Sequence, residues 1–515
     1  MADVILLSDS TTGADLTESG DIYFLAEGVT HYSTSGSVLD IFDNSGSPVT
    51  GQEVYVNGTM AAFDTRAITH TSSQQVSSLF ISVGVTGRIT SSPEWFAISI
   101  KSNFSAIINN GEIFGATAVS ASGDFMRIVN HGIMSSTMTN PTQLFAIGLG
   151  GENVRIVNTG TISGGNGVQI TGTGALVTNS GTIAGDRYGI SSSLSSGEVG
   201  SFVNTGTIAG LVASFIGFNG ADTVRNSGDM NGTVDLGDGV NVLINSGTIT
   251  GTVTMGSAID TLVNAGQITG DVETGGENDV VRNSGTITGD LDLGVGNDVL
   301  TTAGSGVVAG VVSGGSGMDS LFGGDLADEL DGGDDSDFVV GRSGDDTLFG
   351  GAADDTVNGG SGEDALFGQG GADVLNGQGG NDTLNGGSGD DRLSGGNGDD
   401  TLIAGEGSDI LRGDAGADVF EFSSILETGT GATRDRILGW EDGADVIDLS
   451  GFGALTFSAM GPVGGGTASV WFQSVSGGAQ TMLRIDTDGD SIFDGQVLLV
   501  RADPGQFDQS DLILA

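Results

Sequence analysis

From Gly314 to Glu421 an aspartate stands at every ninth position: Asp319, Asp328, Asp337, Asp346, Asp355, Asp364, Asp373, Asp382, Asp391, Asp400, Asp409 and Asp418. Each ends a glycine-rich turn and is followed two residues on by Leu, Val or, once, Phe, as in GGSGDDRLS and GGNGDDTLI. A carboxylate closing such a turn joins backbone carbonyls on one concave edge, which makes an oxygen-only cage for a hard cation. Calcium, which takes about six to eight oxygen ligands in irregular geometry, fits that cage better than magnesium, which demands a tight octahedron. Zinc is a poor candidate, because the chain has no cysteine and three scattered histidines, His31, His70 and His131.

The spacing also poses a problem that the cation solves. Carboxylates stacked about 5 Å apart repel by roughly 1 kcal/mol per pair in water and about 3 kcal/mol at an effective dielectric near 20. Divalent ions between them turn the same column into an attraction, so ion binding and folding become one process.

These turns need a scaffold that stacks them. Twelve nonapeptides run without insertion, and two make an 18-residue coil with an acidic turn at either side, which predicts two rows of ions along residues 314–421. Upstream, residues 217–313 read as five units of 19 or 20 residues, with Asp222, Asn241, Asp260, Asp279 and Asp298 falling 19 apart. Only one turn per unit is acidic there, so a single, sparser row is expected, with Asp222, Asp260, Asp279 and Asp298 as its ligands. The other turn carries an Asn-x-Gly, at Asn226, Asn245, Asn264 and Asn283, expected to stack as an amide ladder. The same arm continues back through Asn204, Asn179, Asn158, Asn130 and Asn109 with a looser period.

Periods near 20 with alternating β-branched residues and glycine turns describe coils that bury their apolar positions only by stacking on one another. The fold expected is all-β: a right-handed parallel β-solenoid, a β-helix continuing into a calcium-binding roll, with a small β-rich cap at each end. Its segments are 1–99, a cap or an assembly or binding head; 100–216, a β-helix of Asn-x-Gly coils; 217–313, the 19-residue repeats; 314–421, the nonapeptides; and 422–515, a C-terminal cap.

Composition narrows the partners. With 66 acidic and 15 basic side chains the formal charge is −51, a field that repels nucleic acid and anionic membranes. No apolar run is long enough for a membrane span. The opening MADVILLSDSTTGADL lacks the basic and apolar regions of a signal peptide, so the chain is either cytosolic or exported through another signal.

The nonapeptides resemble the RTX (repeats-in-toxin) β-roll, a right-handed parallel roll carried by proteins that leave Gram-negative bacteria through type I secretion systems. The resemblance implies that each aspartate from Asp319 to Asp418 ligates calcium together with turn carbonyls. Leu326, Asp335 and Ala353 depart from glycine at the fourth position, and Ala404 at the first. Beyond the roll, DRILGWEDGADVIDLSGFG (435–453) and LRIDTDGDSIFDGQVLLV (483–500) look like the C-terminal domain of serralysin-type secreted proteins. That likeness implies a C-terminal export signal, and calcium-driven folding once the chain is outside. Asp486, Asp488, Asp490 and Asp494 are similar to the start of an EF-hand, but Ser491 and Val497 stand where it needs Gly and Glu, which favours a plain turn.

No His-Glu-x-x-His and no Gly-x-Ser-x-Gly occurs, so neither the serralysin protease nor a serine hydrolase elbow is present. The 19-residue units are also similar to ice-binding solenoids, whose Thr columns are broken here by Gly276 and Val295. Arg225 and Arg282 share one column and are expected to salt-bridge the acidic turns. The reading is a secreted, non-enzymatic, calcium-binding protein whose rigid solenoid forms a surface layer, filament, matrix or adhesin at the cell surface or beyond it. Its expected partners are calcium, the type I secretion machinery, and copies of itself or a cell-surface polysaccharide. The alternative is a calcium-dependent lyase or epimerase acting on polysaccharide from the β-helix.

Overall fold

The computed structural model describes every residue except 1–3, 8–13, 17–21, 34–38, 42–49, 63–65, 71–76, 93, 138–144, 431–432, 460, 476–479 and 501–506. The fold is all-β, and helix among the described residues is confined to three-residue 3-10 turns such as Ile425–Glu427 and Gln509–Asp511. The chain divides into two compact units, residues 1–275 with 286–288, and residues 276–285 with 289–515. Each is a parallel β-solenoid.

In the first unit, one ladder of parallel strands runs through Ala106–Asn109, Arg127–Asn130, Arg155–Asn158, Ala175–Asn179, Val199–Asn204, Ala221–Asn226, Val242–Asn245 and Thr261–Asn264. Its register stacks Ile107, Ile128, Ile156, Val177, Phe202, Val224, Leu243 and Leu262, all buried. A second ladder stacks Ile113, Met134, Ile162, Ile183, Ile208, Met230, Ile249 and Ile268 against them. Like meets like from coil to coil, so burial is obtained only by stacking, as the repeat requires. Residues 1–99, expected as a cap or head, carry parallel strands of the same ladders: Val4–Leu7 pairs with Ile22–Leu25, that with Thr50–Val56, that with Ser77–Val83, and that with Ala106–Asn109. Their coils differ too much in length for a repeat to show in the sequence.

The expected amide ladder is present from Asn109 to Asn264. Each Asn side chain donates through Nδ2 to Oδ1 of the next, from Asn109 through Asn130, Asn158, Asn179, Asn204, Asn226 and Asn245 to Asn264, at 2.7–2.9 Å. The same Nδ2 also reaches the carbonyl of the glycine two residues on, as Asn179 does with Gly181 at 3.2 Å. Loops of different length between these turns leave the ladder unbroken.

In the second unit the nonapeptides pair 18 residues apart, so two make one coil. Odd repeats feed one ladder, Phe338–Ser343, Thr356–Ser361, Val374–Gly379, Arg392–Asn397 and Ile410–Ala415, and even repeats the other, Thr347–Ala352, Ala365–Gly370, Thr383–Ser388 and Thr401–Glu406. The eighth-position residues, from Leu321 to Phe420, are buried between the ladders. The C-terminal segment closes the stack with antiparallel strands: Ser469–Val475 on Gln480–Asp486, and that on Gly495–Val500, which lies parallel on Arg436–Leu438. Switching to antiparallel strands ends the coil-on-coil pairing and covers an edge that would invite further stacking.

Candidate metal centre

The acidic turn holds its carboxylate by one oxygen and leaves the other. Asp337 is 4% exposed; its Oδ1 accepts the backbone N–H of Asp319, and its own N–H donates to Oδ1 of Asp355, both at 2.7 Å. The same link repeats along two columns. One runs Asp279, Asp298, Asp319, Asp337, Asp355, Asp373, Asp391, Asp409 and the other Asp328, Asp346, Asp364, Asp382, Asp400, Asp418, at 2.6–3.0 Å. The carboxylates along the nonapeptides therefore stand in two columns, and one of these reaches back to Asp298 and Asp279.

The second oxygen, Oδ2, is buried without a hydrogen-bond partner in Asp222, Asp298, Asp319, Asp337, Asp346, Asp355, Asp364, Asp373, Asp382, Asp391, Asp400, Asp409 and Asp418. The turn's first glycine shows what that atom faces. A Cβ added to Gly332 would collide with Oδ2 of Asp337 and with the carbonyl oxygen of Gly350 in the next coil, and one added to Gly368 would meet Asp373 and Gly386 in the same way. Carboxylate and carbonyl oxygens thus converge beside the first position, which is glycine in every nonapeptide but the one that opens with Ala404. Oxygens facing oxygens with no donor between them suit a hard cation, and the donor set fits calcium.

Two kinds of residue bear on the turn backbone. The second and fourth positions adopt positive φ, as at Gly351 (117°) and Gly344 (126°), which is why glycine dominates there. The departures Asp335 (72°) and Ala353 (77°) keep that conformation at some cost in strain, whereas the turn containing Leu326 abandons it. In that turn the N–H of Gly324 donates to Oδ2 of Asp328 at 2.6 Å, so Asp328 differs from its column: its second oxygen already has a donor. Fifth-position side chains form a further ladder that sequence reasoning missed. Asp345, Asp354, Asn381, Asp390 and Asp399 each accept the backbone N–H of the fifth-position residue 18 along, at 2.8–3.0 Å.

Burial dominates the electrostatics of the columns. It pushes the carboxyls of Asp319, Asp337, Asp346, Asp355, Asp400 and Asp409 up to about 7, opposed by the backbone hydrogen bond each accepts and reinforced by neighbouring carboxylates. Burial thus favours the protonated form of these carboxyls over the bare carboxylate.

In the first unit, Asp222, Asn241 and Asp260 make the same links: Asp222 N–H to Asn241 Oδ1 at 2.9 Å, and Asn241 N–H to Asp260 Oδ1 at 2.6 Å. Asn241 keeps Oδ1 in the column, but its Nδ2 donates to the carbonyls of Gly237 at 2.9 Å and Met255 at 3.0 Å. At Asp222 the corresponding place holds a carboxylate oxygen opposite the Leu236 carbonyl, beside Gly217. An amide N–H₂ thus satisfies carbonyls that elsewhere face an oxygen.

Two aspartates beyond the repeats join the columns. Asp435 Oδ1 accepts the N–H of Asp409 at 2.8 Å, and Asp445 Oδ1 that of Asp418 at 3.2 Å. They stand 26 and 27 residues along instead of 18, so counting by nines passes over them. Their only sequence signal is the Arg-Ile-Leu and Val-Ile-Asp strand that follows each.

The other candidates lie apart. In the acidic turn of Asp486, Asp488 and Asp494 the carboxylate oxygens come within 4.8 Å of one another, and they accept N–H groups of their own turn, Gly489 and Ser491 on Asp486 and Thr487 on Asp494. The salt bridges expected of Arg225 and Arg282 are not formed among the described residues, and both arginines are exposed. His31 is buried against the Tyr23 hydroxyl at 2.9 Å, His131 meets the Thr159 hydroxyl at 2.6 Å, and the side chain of His70 lies outside the described residues. No helix among the described residues is long and apolar enough to cross a membrane.

Fold and site together define a calcium-binding β-solenoid. Residues 313–420 match the family model described as RTX calcium-binding nonapeptide repeat (4 copies), so this stretch is an array of RTX repeats, and such repeats bind calcium. Two similar solved structures come from the Azotobacter vinelandii mannuronan C5-epimerase. Its AlgE6R3 subunit is 30% identical over 31% of this chain and 78% of that one, with a TM-score of 0.21. Its AlgE6R2 subunit is 28% identical over 32% and 89%, with a TM-score of 0.20. No curated protein matches the chain.

Proposed function

We propose that this is a secreted structural protein whose solenoid stiffens by binding calcium outside the cell and serves there as a surface-layer, filament, matrix or adhesin component. The ligands in this reading are Asp319, Asp337, Asp346, Asp355, Asp364, Asp373, Asp382, Asp391, Asp400, Asp409 and Asp418, each with carbonyls of its own and the next turn. Asp222, Asp260, Asp279 and Asp298 serve the sparser row, and Asp328 stands at the start of its row. Bound there, calcium supplies the positive charge that these oxygens lack. The observation that carries the reading is the buried Oδ2 without a donor, repeated coil after coil. Export through a type I system belongs to the same proposal, since acidic coils that repel one another until they meet calcium stay threadable in the low-calcium cytosol.

Purified protein, stripped with EGTA and returned to millimolar calcium, tests it. Strand signal in circular dichroism and melting temperature should rise with calcium, and micrographs should show calcium-dependent sheets or fibres. Spectra and melting indifferent to the chelator would remove the calcium role. Release of unsaturated or epimerised uronate from alginate or pectin would replace the structural role with an enzymatic one.

A further inference from the structure

One column does not end with the repeats. Asp435 lies beyond the last nonapeptide, yet its Oδ1 takes the N–H of Asp409 as every column member takes the one before it. It is 0% exposed, and its Oδ2 has no hydrogen-bond partner. The neighbours that act on it are carboxylates, Asp409 and Glu427, so it is a buried acid among like charges. The second column ends otherwise. Oδ2 of Asp445 accepts the N–H of Glu441 at 2.7 Å, and at the start of that column Oδ2 of Asp328 accepts the N–H of Gly324 at 2.6 Å. An N–H aimed at a carboxylate oxygen supplies the positive pole that a cation would otherwise supply.

From this contrast we propose that Asp435 holds one more calcium ion past the repeats, whereas Asp445 closes its row with a backbone N–H and holds none. The inference rests on the calcium reading above and adds to it that the two rows have different lengths, set by residues outside the nonapeptide array. A buried carboxylate with one oxygen tied and the other facing like charge is costly unless a cation or a proton joins it. At neutral pH and millimolar calcium the cation takes that place.

The test is a calcium count by native mass spectrometry on the full-length, calcium-loaded chain. Asp435→Asn should carry one ion fewer than the parent, and Asp445→Asn the parent's number. A parent that holds no calcium defeats the functional reading itself. A loaded parent with an unchanged count in Asp435→Asn defeats only this inference, as does an equal loss in Asp445→Asn. Should Asp435→Asn fail to fold, anomalous scattering from crystals of the calcium-loaded parent decides: an ion against Asp435 Oδ2 and none against Asp445 Oδ2 supports the assignment, and any other arrangement overturns it.

Discussion

At the scale of single residues, the difference between an oxygen and an N–H₂ decides whether a turn needs an ion. Asn241 and Asp222 sit in one column and each donates its N–H to the next side chain; Oδ1 accepts the Asp222 N–H in one and the Ser192 hydroxyl in the other, and the second atom is a nitrogen in Asn241 and an oxygen in Asp222. Asn241→Asp should therefore add one calcium per chain. In chelator the variant should lose about 1–3 kcal/mol, the usual cost of leaving buried carbonyls without donors. A count unchanged from the parent, with an unchanged melt in EGTA, would show that the amide does not stand in for a cation.

At the scale of elements, two kinds of stacked turn are built into the coils, one dependent on ions and one not. In the Asn ladder every oxygen meets an N–H, so it requires no cation. Asn179→Ala takes one acceptor from Asn158, whose Nδ2 keeps the carbonyls of Gly160 and Thr182, and removes the donor to Asn204 Oδ1 inside a buried column, at about 1–3 kcal/mol for a buried group left unsatisfied. Hydrogen exchange across residues 155–207 should quicken to the same extent in calcium and in EGTA. Rescue by calcium would mean that this stretch, too, depends on the ion. The acidic turns are the converse, because there a carboxylate oxygen faces carbonyl oxygens with no N–H between them.

At the scale of the molecule, a charge of −51 and columns of buried acids couple stability to pH. Carboxyls pushed up to about 7 in the folded, ion-free chain bind protons more tightly than in the unfolded chain, where the ordinary value is about 4. Folding without calcium then takes up protons. Its stability is fully present below the unfolded value and is lost as pH rises through about 7. In EGTA the melting temperature should be higher at pH 5.5 than at pH 8, and the gain from calcium should be larger at pH 8, where fewer protons must be displaced. A melt in EGTA that rises between those two pH values contradicts this account.

The nine-residue period by itself determined the acidic rows, the cation they suit, the 18-residue coil and the apolar stripe at the eighth position, because each is a local rule repeated without insertion. The Asn-x-Gly spacing likewise announced the amide ladder. Only the tertiary structure showed that the described strands within residues 1–99 join the same ladders, that Arg225 and Arg282 are exposed without an ion pair, and that Asp435 and Asp445 belong to the columns. The reason is common to all three. Stacking brings together residues whose separation along the chain varies with every inserted loop, and whether a carboxylate oxygen meets an N–H or another oxygen depends on the neighbouring coil.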